Sequence, residues 1–437
     1  MTRSAALAVT LVAGAAAFAS PALAAPALLA HQAPLVIDTA ATAWILTSTA
    51  LVLLMTLPGL ALFYGGMVRK KNIISVVAQS AAAFAIVSVL WFLVGYSLSF
   101  GKGPDAVNGF IGGVQAAFLN GVTAQTAHSL LPGLPELLFV SFQMTFAIIT
   151  PALIAGAFAE RMKFSASLLF FALWHLIVYA PICHQVWGGG YLGGLGVLDF
   201  AGGAVVHVNA GIAGLVCALV LGPRHGFGRD NMAPANLVYS AIGTGLLLVG
   251  WLGFNAGSAG AADAVAATAA FNTILAAGSA ALGWMTIEWF DRKRPTLLGL
   301  LSGVVGGLVA ITPAAGFVDP KGAFFIGLIG GPACYAGAVW LKHALKYDDS
   351  LDAFGVHGVG GIVGALLTGV FATTTVNALS EGATVWKQAV GLVGVIAWSA
   401  VGTFVVLMIC KSTTGLRVTK DEEVEGLDYT QHGEAIH

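Results

Sequence analysis

Two stretches carry the side chains that could do chemistry. In "DFAGGAVVHVNAGIAGLV", residues 199–216, His207 sits among small and apolar residues, with Asp199 two turns upstream. In "FGVHGVGGIVG", His357 begins the same pattern: His, then Gly-Ile-x-Gly four residues later. On a helix, positions i, i+4 and i+7 share a face, so each histidine lies on a glycine-lined face suited to close packing. Three chemistries are open to such a ring. It can bond a neighbouring helix's carbonyl as a core residue, ligate a metal, or present a polar edge to a passage. No carboxylate or cysteine stands at helical spacing beside either ring, which disfavours a metal. Repetition disfavours the core reading, which is kept for His175. The pair is therefore read as two neutral rings, bonded to each other in a narrow apolar tunnel. A desolvated cation is penalised there, because burial can lower an amine's pKa by about 3–5.

The elements that must position these rings are membrane helices. Of 437 residues, 58% are hydrophobic and 9% charged, against about 25% charged in soluble domains. The formal net charge of −1 excludes a nucleic-acid footprint. Apolar runs near 40–66, 73–100, 135–159, 165–182, 203–222, 236–257, 264–290, 297–315, 321–343, 355–374 and 389–410 predict eleven spans of about 18–28 residues. The fold class is thus an all-α polytopic membrane protein, with a transporter domain over 40–410 and a polar tail over 411–437. Glycine numbers 57, as expected of a tightly packed bundle. Cys183, Cys217, Cys334 and Cys410 show no metal or redox spacing and read as small core hydrophobes.

Residues 1–24 carry Arg3, an apolar stretch and "ALA-A", the pattern of a signal peptide cleaved after Ala24. That places the mature amino terminus outside. Alternating the spans then puts fifteen Lys and Arg residues inside, among them Arg69, Arg161, Arg224, Arg292, Lys342 and Arg417. Only Lys102, Lys321 and Lys387 fall outside, so the carboxyl end is cytoplasmic. The two histidines fall in spans five and ten, and spans one and six echo as "FYGG" from Phe63 and "FNAG" from Phe254. Five plus five spans of opposite orientation, with one further helix, form an inverted repeat, whose sites lie at the repeat interface. A pseudo-two-fold brings His207 and His357 together.

The motifs "PGLALFYGG", "AERMKFSA", "VWGGG", "DFAGGAVVHVNAGIAGL", "GWLGFNAGSAG", "FGVHGVGGIVG" and "GLRVTKDEEVEGLDYTQHGE" resemble the ammonium transporter (Amt/Mep/Rh) family. The match runs from span one through the tail and is closer to bacterial members than to Rhesus relatives, which lack the outer tryptophan. The resemblance implies a homotrimer in the inner membrane, with one pore per subunit and no cofactor. It implies that Trp187, Phe142, Phe146 and Ser258 recruit ammonium at the outer mouth. A cation over an aromatic face gains about 0.5–2 kcal/mol, and a hydroxyl supplies an acceptor. It further implies that Phe146 and Phe254 close the mouth, and that His207, His357 and Trp251 line the pore and relay protons. For Trp187 an interfacial-belt role stays open, and for Trp251 plain packing. Asp199 matches the family's essential acid, with two readings: a cap for span five on the Gly202-Gly203 turn, or a charge that stabilises incoming ammonium. One departure is Gln143-Met144-Thr145, where the family often has smaller residues.

By composition the tail reads as a solvated end. The resemblance, carried by Gly415, Arg417, Glu425, Gly426 and Asp428, implies instead that it folds on the inner face, where a PII-type signalling protein docks. The function implied is ammonium transport, in which ammonium is captured, deprotonated and passed as ammonia with linked proton transfer. The alternatives are a passive gas channel of Rhesus type and an ammonium receptor that signals through its tail. An enzyme is disfavoured, because no nucleophile and base stand at useful spacing.

Overall fold

The computed structural model describes residues 36–436; the signal-peptide segment 1–24 lies outside them. The described chain is helical, with ten helices long and apolar enough to cross a membrane and one shorter apolar helix. In chain order they are α1 (Thr39–Met67), α2 (Lys70–Phe100), α3 (Glu136–Phe158), α4 (Phe164–Gly194), α5 (Gly203–Leu221), α6 (Leu237–Ala256), α7 (Ala264–Arg292), α8 (Leu297–Ile311), α9 (Pro320–Leu345), α10 (Phe354–Phe371) and α11 (Val385–Thr413). Many starts carry a side-chain cap, because the first backbone N–H groups of a helix lack partners. Asp38, Asn236, Asp263, Thr296, Asp319 and Thr384 accept these bonds for α1, α6, α7, α8, α9 and α11.

Two helices depart from the expected lengths, each with consequences for the centre of the molecule. The fourth span does not stop near 182: its helix runs to Val186 with Trp187 at the C-cap, and after a short turn a four-residue helix ends at Gly194. The eighth, expected over 297–315, ends at Ile311. At 15 residues it is about 22 Å long, short of a 30 Å hydrocarbon core. Proline explains the stop, since Pro313 lacks an N–H and its ring blocks a continuing helix. The freed backbone is reused: the Pro313 carbonyl accepts from Phe200 N at 3.1 Å.

The inverted repeat appears in matched details. His207 lies in a π-helical turn, Gly203–Val208, and His357 in another, Phe354–Gly358. Such turns widen the helix locally and re-aim side chains. The glycines four residues after each histidine make the crossing possible. A Cβ on Gly211 would lie 2.2 Å from Gly358 N and 2.3 Å from its Cα, and one on Gly361 would lie 3.0 Å from the Gly203 carbonyl oxygen. The backbones of α5 and α10 therefore touch beside both histidines.

On the tail side, buried charges tie the loops together. Glu160 pairs with Arg69 at 2.6 Å and Arg224 at 3.3 Å, and Arg224 with Asp348 at 2.8 Å. Burial opposes charge on both Arg224 and Asp348, yet their mutual bonds win. Asp348 is held below the usual carboxylate range and Arg224 is pushed up. Arg161, whose pKa burial lowers to about 10, donates to the Asp348 carbonyl and to Ser350 Oγ. Four loops that the charge bias assigns to one side thus meet on one face.

Because the α5–α10 contact leaves no room for a methyl group, Gly211→Ala must force the two backbones apart. Overpacking of this kind costs about 1–3 kcal/mol. We expect a lowered thermal unfolding midpoint in detergent for Gly211→Ala and none for Gly278→Ala, where an added Cβ meets nothing within 4 Å.

Candidate functional site

The rings named from the sequence form one column. Trp187 stands edge-on to Phe146 at 5.9 Å between centroids, with Phe142 packed against Phe146 at 5.0 Å. Phe146 and Phe254 overlap at 4.3 Å and 32°. Phe254 then leads to His207 at 5.9 Å, and His207 stacks on Trp251 at 5.3 Å and on His357 at 5.3 Å. From Phe146 downward every one of these rings is buried. Ser258 spends its hydroxyl proton on the Phe254 carbonyl at 2.7 Å, which leaves its oxygen free to accept.

At the centre, His357 Nδ1 and His207 Nδ1 lie 3.3 Å apart. One must donate and the other accept, so two neutral rings share one proton in that bond and hold opposite tautomers. His207 Nε2 is buried with no hydrogen-bond partner. Beneath the pair lies a constricted cavity of ≈ 10 Å³, room for about one water-sized molecule. Both histidines and Trp251 line it, with Leu60, Phe63 and Leu153 among its apolar walls. Phe63 and Phe254, the echoed aromatics of the first and sixth spans, thus fall on opposite sides of the histidine pair. Trp251 is oriented rather than loosely packed, since its Nε1 donates to Thr312 Oγ1 at 2.9 Å. Thr312 follows the early end of α8, which puts that short helix to use.

Asp199 is a cap in full. Its Oδ1 accepts from Gly202 N at 2.9 Å and Gly203 N at 2.6 Å, and its Oδ2 from Ala204 N and Val205 N, both at 3.0 Å. Gly202 turns at φ +110°, a conformation that L side chains rarely adopt. The Asp199 carbonyl meanwhile accepts the Trp187 indole N–H at 2.8 Å. One residue therefore starts the first histidine helix and orients the outer tryptophan. Both carboxylate oxygens are spent on backbone.

Sequence reasoning missed Asp349. It stands before His357 as Asp199 stands before His207, and it accepts from Ala353 N at 3.0 Å and Phe354 N at 2.7 Å. Burial, with Asp352 beside it, pushes its pKa up to about 6. The equal Asp-to-His spacing in the two repeats was the available signal. His175 corrects an expectation: both its ring nitrogens are buried without a partner. It is held by stacking on Tyr179 at 5.6 Å and by Trp91 at 5.9 Å, because Gly95 lets the ring come close. Met144 is half-buried against the core, and Thr145 is buried and bonded back to the Phe142 carbonyl. Among the described residues no three His, Cys, Asp or Glu side chains are grouped to hold a metal.

The tail docks rather than dangling. Thr419 and Glu422 form a capping box that starts α12 (Lys420–Glu425), and α13 (Leu427–His432) follows. Arg417 donates to Glu423 at 2.8 Å and to the Leu221 carbonyl at 2.9 Å. Gly415 and Gly426 turn at φ +69° and +118°, and Gly426 leaves no room for a side chain beside Lys71. Asp428 accepts from Ser75 N at 2.8 Å, and Asn72 Oδ1 from Leu427 N at 2.9 Å. Glu425, singled out from the sequence, is exposed with no side-chain bond. Glu423, which was not singled out, carries the contact. The regular composition of a solvated end hid this, because few charges buried by tertiary contact suffice to fix so short a segment.

A family model described as Ammonium Transporter Family matches residues 43–436. An ammonium transporter of Bacillus subtilis is 49% identical over 396 residues, covering 89% of this chain and 96% of the relative. One of Aquifex aeolicus is 48% identical, covering 92% and 94%. Among solved structures, Saccharomyces cerevisiae Mep2 superposes with a TM-score of 0.81 at 38% identity, covering 88% of each chain. A protein described as a sensor Amt superposes at 0.82 and 31% identity, covering 90% of this chain and 98% of that one.

Removing the Asp199 carboxylate strands four buried N–H groups, each unmet donor costing about 1–3 kcal/mol. Asparagine keeps one acceptor oxygen. We expect thermal stability and ammonium uptake to fall together in the order wild type, Asp199→Asn, Asp199→Ala. A fully stable Asp199→Asn that has lost uptake would favour the charge over the cap.

Proposed function

The chain belongs to the ammonium transporter family, and we propose that it captures ammonium at its outer mouth, strips a proton from it and conducts ammonia past the histidine pair, with the proton crossing separately. The observation that carries this reading is the Nδ1–Nδ1 contact between two buried neutral rings, with His207 Nε2 left unpaired at an apolar cavity. A charged ion has nothing in that cavity to replace its water, whereas a small neutral base finds a hydrogen-bond partner in the ring nitrogen.

Each part of the column has a stated task in this reading. The faces of Trp187 and Phe142 and the Ser258 oxygen attract the cation where it is still partly hydrated. Asp199 acts through Trp187 by holding the indole in place, and is a positioning residue. Phe146 and Phe254 must part to admit one molecule at a time. The histidine pair accepts a proton on one side and releases it on the other by exchanging tautomers, which keeps the pair neutral on average. Trp251 walls the lower passage.

The positive loops and the docked tail face the cytoplasm in this reading, and the membrane is the inner one. A homotrimer with one pore per subunit, and a PII-type partner on the tail side, belong to the same proposal. A second reading is favoured by the sensor Amt neighbour: reception of ammonium, reported through the tail with little flux. Loss of a downstream response with normal growth on low ammonium, after deletion of the gene, would support it. A passive gas channel is disfavoured by the recruiting tryptophan and would give no ammonium-evoked current.

In proteoliposomes, the double variant His207→Ala/His357→Ala is expected to lose charge-coupled ammonium uptake, with current reduced at least tenfold. Ammonium currents equal to wild type in that variant would refute the relay.

A further inference from the structure

A second polar site lies on the tail side, away from the ring column. A pocket of about 370 Å³ opens between the α5–α6 loop and the start of the tail. Arg224, His225, Arg229, Arg417, Lys420 and Glu423 supply its charged and titratable lining. Glu423, the one acid there, is already spent. Its Oε1 accepts from His225 N at 2.5 Å, and its Oε2 accepts twice from Arg417. Arg224 is neutralised from beneath by Asp348 and Glu160. Arg229 and Lys420 are exposed, and among the described residues neither side chain has an ion pair or hydrogen bond. The His225 ring likewise has none. Asp230 and Asp421, their sequence neighbours, do not line the pocket.

We infer that this pocket binds a phosphate-bearing anion. Three unspent donor groups of different geometry, a guanidinium, an ammonium and an imidazole, line a space whose one lining carboxylate, Glu423, is already bonded, with the Asp230 carboxylate behind Gly226. A tetrahedral anion with several oxygens can meet all three at once, where a single carboxylate cannot. Phe227 and Pro223 add an apolar wall, which suits the organic part of a phosphate ester or of a lipid headgroup. The site is also composite. Arg229 and His225 come from the loop, whereas Lys420 and Arg417 come from the tail almost two hundred residues later. The anion is held only while the tail is docked, and by linkage it holds the tail docked to the same degree.

The test uses the purified full-length protein, the double variant Arg229→Ala/Lys420→Ala, the charge-conserving Arg229→Lys/Lys420→Arg, and a chain ending at Thr414. Titration calorimetry at fixed ionic strength, with inorganic pyrophosphate and glycerol 3-phosphate as probes and chloride as control, reads a free-phosphate source. Nanodiscs of phosphatidylcholine with or without phosphatidylglycerol read a headgroup source, through the rate at which a glutamate-specific protease cuts the tail. We expect saturable binding of a soluble probe, at least tenfold weaker in the double alanine variant and absent without the tail. If the ligand is a headgroup, phosphatidylglycerol slows cleavage at least tenfold in the wild type and not in the double alanine variant. In either case the charge-conserving variant retains the effect. No saturable binding and no protection, or an equal response in the double alanine variant, overturns the proposal.

Discussion

The site depends on a contact between two backbones. Gly211 meets Gly358, and Gly361 meets the turn that carries His207, so α5 and α10 approach as closely as main chains can. In a lipid solvent no hydrophobic force drives helices together, and close packing of small residues has to do it. Here that packing also sets the chemistry. A methyl group at Gly211 would force the two backbones apart beside the 3.3 Å contact between the rings. The π turns at both histidines complete the arrangement, because they aim two rings from opposite-running repeats at one point.

The same logic explains why each histidine helix begins at a buried aspartate. A helix that starts inside the bundle exposes N–H groups where water is scarce. Asp199 satisfies four of them and Asp349 two. Because the Asp199 backbone also receives the Trp187 indole, the outer ring and the first histidine share one anchor. Trp187 and the start of the first histidine helix are therefore both fastened to a single residue.

Much of this was legible in the sequence, and the parts that were not share a cause. Apolar runs located ten spanning helices and the one shorter apolar helix, since a bilayer imposes such runs. The repeated His-to-Gly pattern was enough to pair His207 with His357. Helix ends were less legible: α8 stops at Ile311, ahead of Pro313, and Thr312 just beyond it orients Trp251, a relation that exists only in three dimensions. Asp349 was overlooked because its neighbours Asp348 and Asp352 make it look like part of a solvated acidic loop. In fact Asp348 is locked to Arg224 and Asp349 caps α10. His175 misled in the opposite direction. Residue type alone predicted a bond to a neighbouring carbonyl, and packing against Tyr179 and Trp91 decided otherwise.

The charged network on the tail side stands in the same relation to the ring column as a frame to a tunnel. Removing one partner from a buried ion pair typically costs about 3–5 kcal/mol, because the other charge is left unpaired. Glu160 and Asp348 are shared among Arg69, Arg224 and Arg161, so the loops after α1, α3, α5 and α9 are tied into one network. The tail is fastened to this frame at Arg417, through the Leu221 carbonyl at the very end of α5. That is the helix whose other end Asp199 caps and whose opening turn carries His207. The tail contact and the histidine pair are thus joined by one continuous helix. Both belong to the same element, and at the glycine crossing that element packs directly on a neighbouring backbone.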